Sequence, residues 1–360
     1  METLLAIGTR KGLWLARSRD RRRWEVSGPQ FPVADVKAIG IDTRRATPRL
    51  SASVLNSHFG PTVVTSDDLG ATWSEPDDAP VAFPGDTGAA LEGVWQFAYG
   101  PEPDVVYVGA EPSALFRSDD GGRSYELVRG LWEHPHREHW EPGGGGKALH
   151  TVLPHPHDAR RMSVAMSTGG VYRTEDGGAT WNPSNTGIRV EFMPEGQEFP
   201  EYGQCVHKVA VDPSDPDRQY LQNHGGVYRS EDGGATWRSI AEGLPADFGF
   251  PMVAHPRRPE VIYNFPLDSS MMRFPPAGRC RVYRSEDAGA MWTGLSKGLP
   301  EGGFWSAVMR DSMCADDADP AGVYFGSRSG EVWASPDEGE TWNQVAAHLP
   351  DVFCVRAAVI

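Results

Sequence analysis

His150, His207 and His224, with Glu111 upstream of them, are the residues whose types most directly suggest chemistry. Imidazole nitrogens and a carboxylate oxygen are donors that Zn or Fe accepts, so the four form a candidate metal site, with a divalent metal as its cofactor. Parts of the same set serve a second chemistry. Acid/base work on a glycosidic bond needs a carboxylate facing another carboxylate or an imidazole across one cavity. Glu111 and Glu201 stand nearest the histidines in strand order, so Glu111, Glu201, His150 and His207 are the candidate catalytic residues. Lys37, Trp95, His58, His224, Arg328, Arg10 and Trp305 are the candidate substrate contacts. Guanidinium forks suit a carboxylate, and Arg10, Arg328 and Arg356 are the arginines available for an anion clamp.

Other groupings carry less. His134-Pro-His136, with His139 nearby, and His155-Pro-His157 have the spacing of metal pairs. The second pair falls in a proline-bracketed turn that recurs as His255-Pro256 and Asp212-Pro213, so repeat chemistry accounts for it. Asp316-Asp-Ala-Asp319 reads as a solvated acidic turn ahead of a calcium site.

Residues so far apart in the chain need a scaffold that returns on itself. Ser230-Glu-Asp232-Gly-Gly234-Ala-Thr236-Trp237 supplies the evidence for one. The same words return at Ser66 to Trp73, Thr174 to Trp181 and Ser335 to Trp342, with looser copies at Ser118 to Tyr125 and Ser285 to Trp292. A recurrence of roughly 50 residues marks internal repetition. Within one copy the Ser and Asp side chains can cap backbone N–H groups, Gly supplies positive φ, and Thr-Trp opens the next strand. Each copy is therefore a turn joining two antiparallel strands.

This pattern, S-x-D-x-G-x-[TS]-[WY], resembles the Asp-box (BNR) repeat of sialidases, sortilin-like receptors and photosystem II assembly propellers. The resemblance covers nearly the whole chain and implies a β-propeller. In those families the box is a turn staple placed away from the sites, so it implies no role in chemistry for box residues. The Arg-Ile-Pro motif that carries one sialidase arginine does not occur here. Tyr202 beside Glu201 is similar to the sialidase Tyr/Glu couple, yet neighbours on an extended chain point opposite ways.

Each repeat reads as a four-stranded meander, the blade of a propeller. Aligned on the turns, the first strands of six blades start at Val36, Val94, Leu149, Val206, Gly249 and Phe304. Thr3-Leu-Leu-Ala-Ile-Gly8, Gly12-Leu-Trp-Leu-Ala16 and Trp24-Glu-Val-Ser27 supply three more strands, and Asp351 to Ile360 a fourth. Joined, they make a seventh blade, which removes free sheet edges. The expectation is an all-β, seven-bladed propeller of four-stranded antiparallel blades over residues 1–360, its last blade closed by both chain ends, with six blades as the fallback. His150 and His207 share a register in adjacent blades. The long insertions, Ser74 to Gly93, Leu131 to Ala148, Asn182 to Gln204 and Asn264 to Arg279, all fall on the face opposite the repeated turns, where propellers place sites. The Gly143 to Gly146 run lies there as a mobile lid, a close backbone approach to a ligand or a plain flexible loop.

Bulk properties narrow the partners. Asp+Glu at 49 against Lys+Arg at 34 gives a formal net charge of -15, which repels phosphate backbones, so nucleic acid is not expected. No apolar stretch approaches the roughly 20 residues of a membrane span, and the start reads as a strand, not a secretory signal. Cys205, Cys280, Cys314 and Cys354 lack paired spacing, so free thiols and a cytoplasmic location are expected.

Three readings compete. The first is a sialidase- or glycosidase-like protein that binds or hydrolyses a small polar, anionic or glycosidic ligand at the loop-face mouth of the channel. The second is a non-catalytic scaffold that grips a protein partner, resembling the assembly-factor propellers, with Phe192, Phe199, Phe248 and Phe250 as its apolar patch. The third is a His-coordinated, metal-dependent lyase or oxygenase.

Overall fold

The computed structural model describes residues 2–74 and 76–360. Seven antiparallel sheets stand in a ring, six of them four-stranded. The exception has three strands, Asp35–Asp42, Arg49–Asn56 and Gly60–Ser66, and its fourth position is taken by Ser74, whose N–H donates to the Thr65 carbonyl at 2.8 Å. The innermost strands contact one another in a closed circuit: Val352–Val359, Asp35–Asp42, Gly93–Tyr99, Leu149–Pro154, Val206–Val211, Phe248–Ala254, Met313–Ala315 and back to the first. Among the described residues no helix is long and apolar enough to cross a membrane.

Closure follows the expected route. Thr3–Thr9 is buried along its whole length and pairs on one side with Gly12–Ser18 and on the other with Val352–Val359, in the register Thr3 to Val359 and Gly8 to Cys354. Without the last strand, an otherwise buried strand edge would face water.

The repeated turns have the hydrogen bonding that their residue types dictate. Ser230 Oγ accepts the Gly234 N–H at 2.8 Å and donates to Asp232, while Asp232 accepts the Thr236 N–H at 2.8 Å and its hydroxyl at 2.7 Å. The arrangement recurs around Asp68, Asp120, Asp176 and Asp337. At Asp287 only the hydroxyl bond is missing, because Met291 replaces the threonine; the Ser285 and backbone bonds remain. The tryptophan that follows ties blade to blade. Trp237 donates to the Ser184 carbonyl and Trp292 to the Ile240 carbonyl, each in the preceding blade, both at 2.9 Å.

One strand differs from expectation. The sixth blade begins at Met313–Ala315, not at Phe304. Phe304 to Met309 is a mostly apolar run that reads as a strand, but its polar partners lie in loops. Phe304 N–H donates to Gly278, the Ala307 carbonyl accepts from Arg328, and Ser306 Oγ accepts from Ser329. The segment is a loop, and Arg310 and Asp311, just beyond it, face the channel.

Candidate functional site

In a meander the loops alternate between the two ends of the blade. The connection into each innermost strand and the loop between second and third strands therefore share one end, opposite the repeated turns. A cavity of about 330 Å3 opens at that end of the channel. Lys37, Trp95, His207, Phe248, Phe250, Arg310, Asp311 and Phe353 reach it from the innermost strands or just before them. Ser167, Thr168, His224, Arg273 and Arg328 come from the loops after second strands.

Charge is distributed unevenly around this space. Asp311 is the carboxylate of the lining, and it is engaged from below: Lys208 Nζ donates to its Oδ1 at 2.8 Å and Arg356 Nη2 to the same oxygen at 2.5 Å. Burial works to raise the Asp311 pKa, but these two cations hold it well below the usual carboxylate range. Asp311 also borders the depression at the other end of the channel, so the three charges make a floor that divides the two. Arg310, only 8% exposed, has no carboxylate within salt-bridge distance among the described residues. Its Nε lacks a hydrogen-bond partner among the described residues, and its guanidinium carbon stands 5.3 Å from the Trp95 ring centroid. Burial lowers its pKa, outweighing the nearby Asp311 carboxylate. Lys37 Nζ lies 5.2 Å from the same ring. Glu111 sits behind the indole and accepts the Trp95 Nε1–H at 2.9 Å, which fixes the ring.

Of the residues expected at the site, Lys37, Trp95, His207, His224 and Arg328 line the cavity. The others do not. His150 is fully buried in the wall, with Nε2 3.0 Å from the Val206 carbonyl and Nδ1 3.1 Å from Thr151 Oγ1. Glu111 is engaged with Trp95, and Glu201 is exposed outside the cavity. His58 lies on an exposed loop tip against Phe59, and Trp305 is 63% exposed beside Phe274. The two-carboxylate and the His150/His207/His224/Glu111 arrangements are thus not assembled here. The arginine clamp is likewise absent as drawn, because Arg10 and Arg328 both bind Asp351, at 3.0 and 2.6 Å, while Arg356 binds Asp311.

Histidine protonation follows from burial. His207 falls to about 3, through burial first and then the Arg310 charge, so it is neutral at ordinary pH. Burial also lowers His224. His134 and His136 pack with Tyr172 and Tyr202 in a side cluster. The glycine run is a built wall: Gly143 and Gly146 exchange backbone hydrogen bonds at 3.1 and 3.0 Å, and a side chain on Gly146, at φ +109°, would meet Glu111.

Sequence reasoning missed Arg310, Arg273 and Cys205. Arg310 was hidden by the false strand before it, and Arg273 lies in the fifth-blade insertion. Cys205 stands two residues before His207, just ahead of the strand, and the register shift at His207 breaks the regular alternation that sequence reasoning relies on.

No family model matches the chain. A curated xyloglucanase from Paenibacillus sp is 28% identical over 232 residues, 56% of this chain, and the chain spans only 21% of that relative's length. Among solved structures, a GH74 enzyme from Niastella koreensis superposes with TM-score 0.56 at 17% identity, over 86% of this chain and 45% of that one. YCF48 bound to D1 peptide gives TM-score 0.52 at 15% identity, over 86% of this chain and 82% of that one. The fold is shared. This is a seven-bladed propeller with xyloglucanase relatives at low identity.

Proposed function

We propose that this protein, an Asp-box propeller, binds a small anionic ligand of carbohydrate type, such as a sugar acid, at the mouth of its central channel. The observation that carries the reading is Arg310: a buried guanidinium without a carboxylate partner among the described residues, beside an indole and a cavity. Burying a charge is costly unless something pairs with it, and a ligand carboxylate entering the cavity would do so. Lys37 and Arg273 add positive charge to the same lining, and Trp95, Phe248 and Phe250 offer apolar faces for a ring. The xyloglucanase relatives make a glycan the natural class of ligand.

Hydrolysis by two carboxylates receives less support, since Glu111 and Glu201 do not face each other across the cavity. The scaffold reading is weakened because Phe248 and Phe250 are buried against His207, leaving Phe192 and Phe199 exposed without them.

Calorimetric titration with glucuronate and galacturonate, against glucose and neutral xyloglucan oligosaccharides, tests the proposal. Saturable binding of a uronate, falling roughly 30-fold or more in Arg310→Met, is expected from the loss of a buried charge-assisted contact. Equal binding or turnover of the neutral oligosaccharides, unaffected by Arg310→Met, would overturn it in favour of a glycosidase acting on neutral glycans.

A further inference from the structure

We propose that Cys205, His207 and His224 form a zinc site in the wall of the mouth cavity. The three come from one hairpin. Cys205 immediately precedes the strand Val206–Val211, which contains His207, and His224 follows the strand Gln219–Asn223 paired with it. His224 N–H donates to the Cys205 carbonyl at 2.9 Å, so these two residues sit opposite each other across the hairpin. The register shift between Val206 and Lys208 falls at His207. As a result the Cys205 thiol and one ring nitrogen from each histidine all lie within 4.8 Å of one another.

Two details favour a metal over an ordinary polar cluster. A thiolate sulfur and an imidazole nitrogen sharing one tetrahedral zinc stand roughly 3.6 Å apart, given the usual bond lengths. Cys205 Sγ and His207 Nε2 are 3.6 Å apart. The tautomer is also set: His207 Nδ1 is 2.5 Å from the Gly249 carbonyl, to which it donates its proton, and this leaves the Nε2 lone pair aimed at Cys205. A backbone carbonyl holding the far nitrogen of a ligating histidine is the usual outer support of such sites. Phe250, stacked on the His207 ring at 4.7 Å, holds it in plane.

His150 and Glu111 take no part in this set, which therefore differs from the four residues the sequence suggested. Without metal the Cys205 thiol can donate to His207 Nε2. On binding, the Cys205 S–H bond breaks, the proton leaves to water, and an S–Zn bond forms. All three donors line the cavity, so with three protein ligands the fourth position opens onto the space beside Arg310. The site stands on its own geometry and does not depend on which ligand the cavity takes.

The test uses untagged full-length protein stripped with a chelator and titrated with zinc, and in parallel with cobalt(II). One equivalent of zinc is expected to bind. The cobalt form should show the strong visible bands of a tetrahedral centre and a thiolate-to-cobalt charge-transfer band. Cys205→Ser should lose that band, and His224→Ala should lose stoichiometric binding, while His136→Ala retains both. Because the other three cysteines are buried, a thiol reagent on the native wild-type protein should modify Cys205 first, and zinc should protect it. That readout requires no variant to fold. Absence of stoichiometric zinc binding, or full binding and no protection of Cys205, would overturn the assignment.

Discussion

Arg310 and Asp311 are chain neighbours whose charges meet opposite fates. The Asp311 carboxylate is held by Lys208 and Arg356, whereas the Arg310 guanidinium lies buried against Trp95 and carries a net positive charge to the cavity wall.

A residue kept charged and unpaired for binding should weaken the fold that carries it. Arg310→Met fills similar volume without the desolvated charge, and replacing buried ionic groups by apolar ones is neutral or stabilising by about 1–4 kcal/mol. The expected outcome is a melting temperature at or above wild type together with lost uronate binding, read by calorimetry on one preparation.

Asp311→Asn should do the reverse. It leaves Lys208 and Arg356, both only partly exposed at the channel floor, without a counter-charge; removing one partner of a buried pair costs about 3–5 kcal/mol, and their partial exposure puts this change at or below the lower end of that range. Denaturant unfolding should show that loss, and adding Lys208→Met should recover part of it. Independent, additive effects of the two changes would argue against the ion cluster.

Acid stability should depend on the repeated turns. The Thr72 hydroxyl and amide hold Asp68 down at about 2, and Thr180 does the same for Asp176. These carboxyls have a lower pKa folded than unfolded, where it is about 3.9. Their stabilisation is therefore complete above about pH 4 and lost as pH falls toward 2. Thr72→Val with Thr180→Val should flatten that part of a stability-against-pH curve and leave the slope above pH 5 unchanged.

The terminal strand, paired with Thr3–Thr9, should be required for folding. Deleting residues 350–360 exposes the edge of Thr3–Thr9 and opens the ring, so the shortened chain should be insoluble or lack a cooperative thermal transition. A soluble monomer melting like the full chain would contradict the seven-bladed closure.

Much of this architecture was legible in the chain itself because it is periodic and local. Ser, Asp, Gly and Thr at fixed offsets dictate the turn, and the unmatched strands at Thr3 and Val352 require each other. The site was only partly legible. Lys37, Trp95, His207 and His224 could be placed from strand starts and loops, since their position depends on the repeat. His150 could not, because its ring turns into the Val206 carbonyl, and whether a side chain faces the channel or its wall depends on the local register shift. Arg310 lay beyond reach for a related reason: the apolar run from Phe304 to Met309 imitates a strand, and only the contacts of Ser306 and Ala307 with the Arg328 loop reveal it as none.

A crystal structure of the protein soaked with galacturonate tests the central claim most directly. The ligand carboxylate should lie within hydrogen-bond distance of the Arg310 guanidinium, with its ring beside Trp95 and Asp311 still bound to Lys208 and Arg356. A sugar bound elsewhere, or a mouth cavity that stays empty at saturating ligand while Arg310 finds a carboxylate of the protein's own, would contradict it.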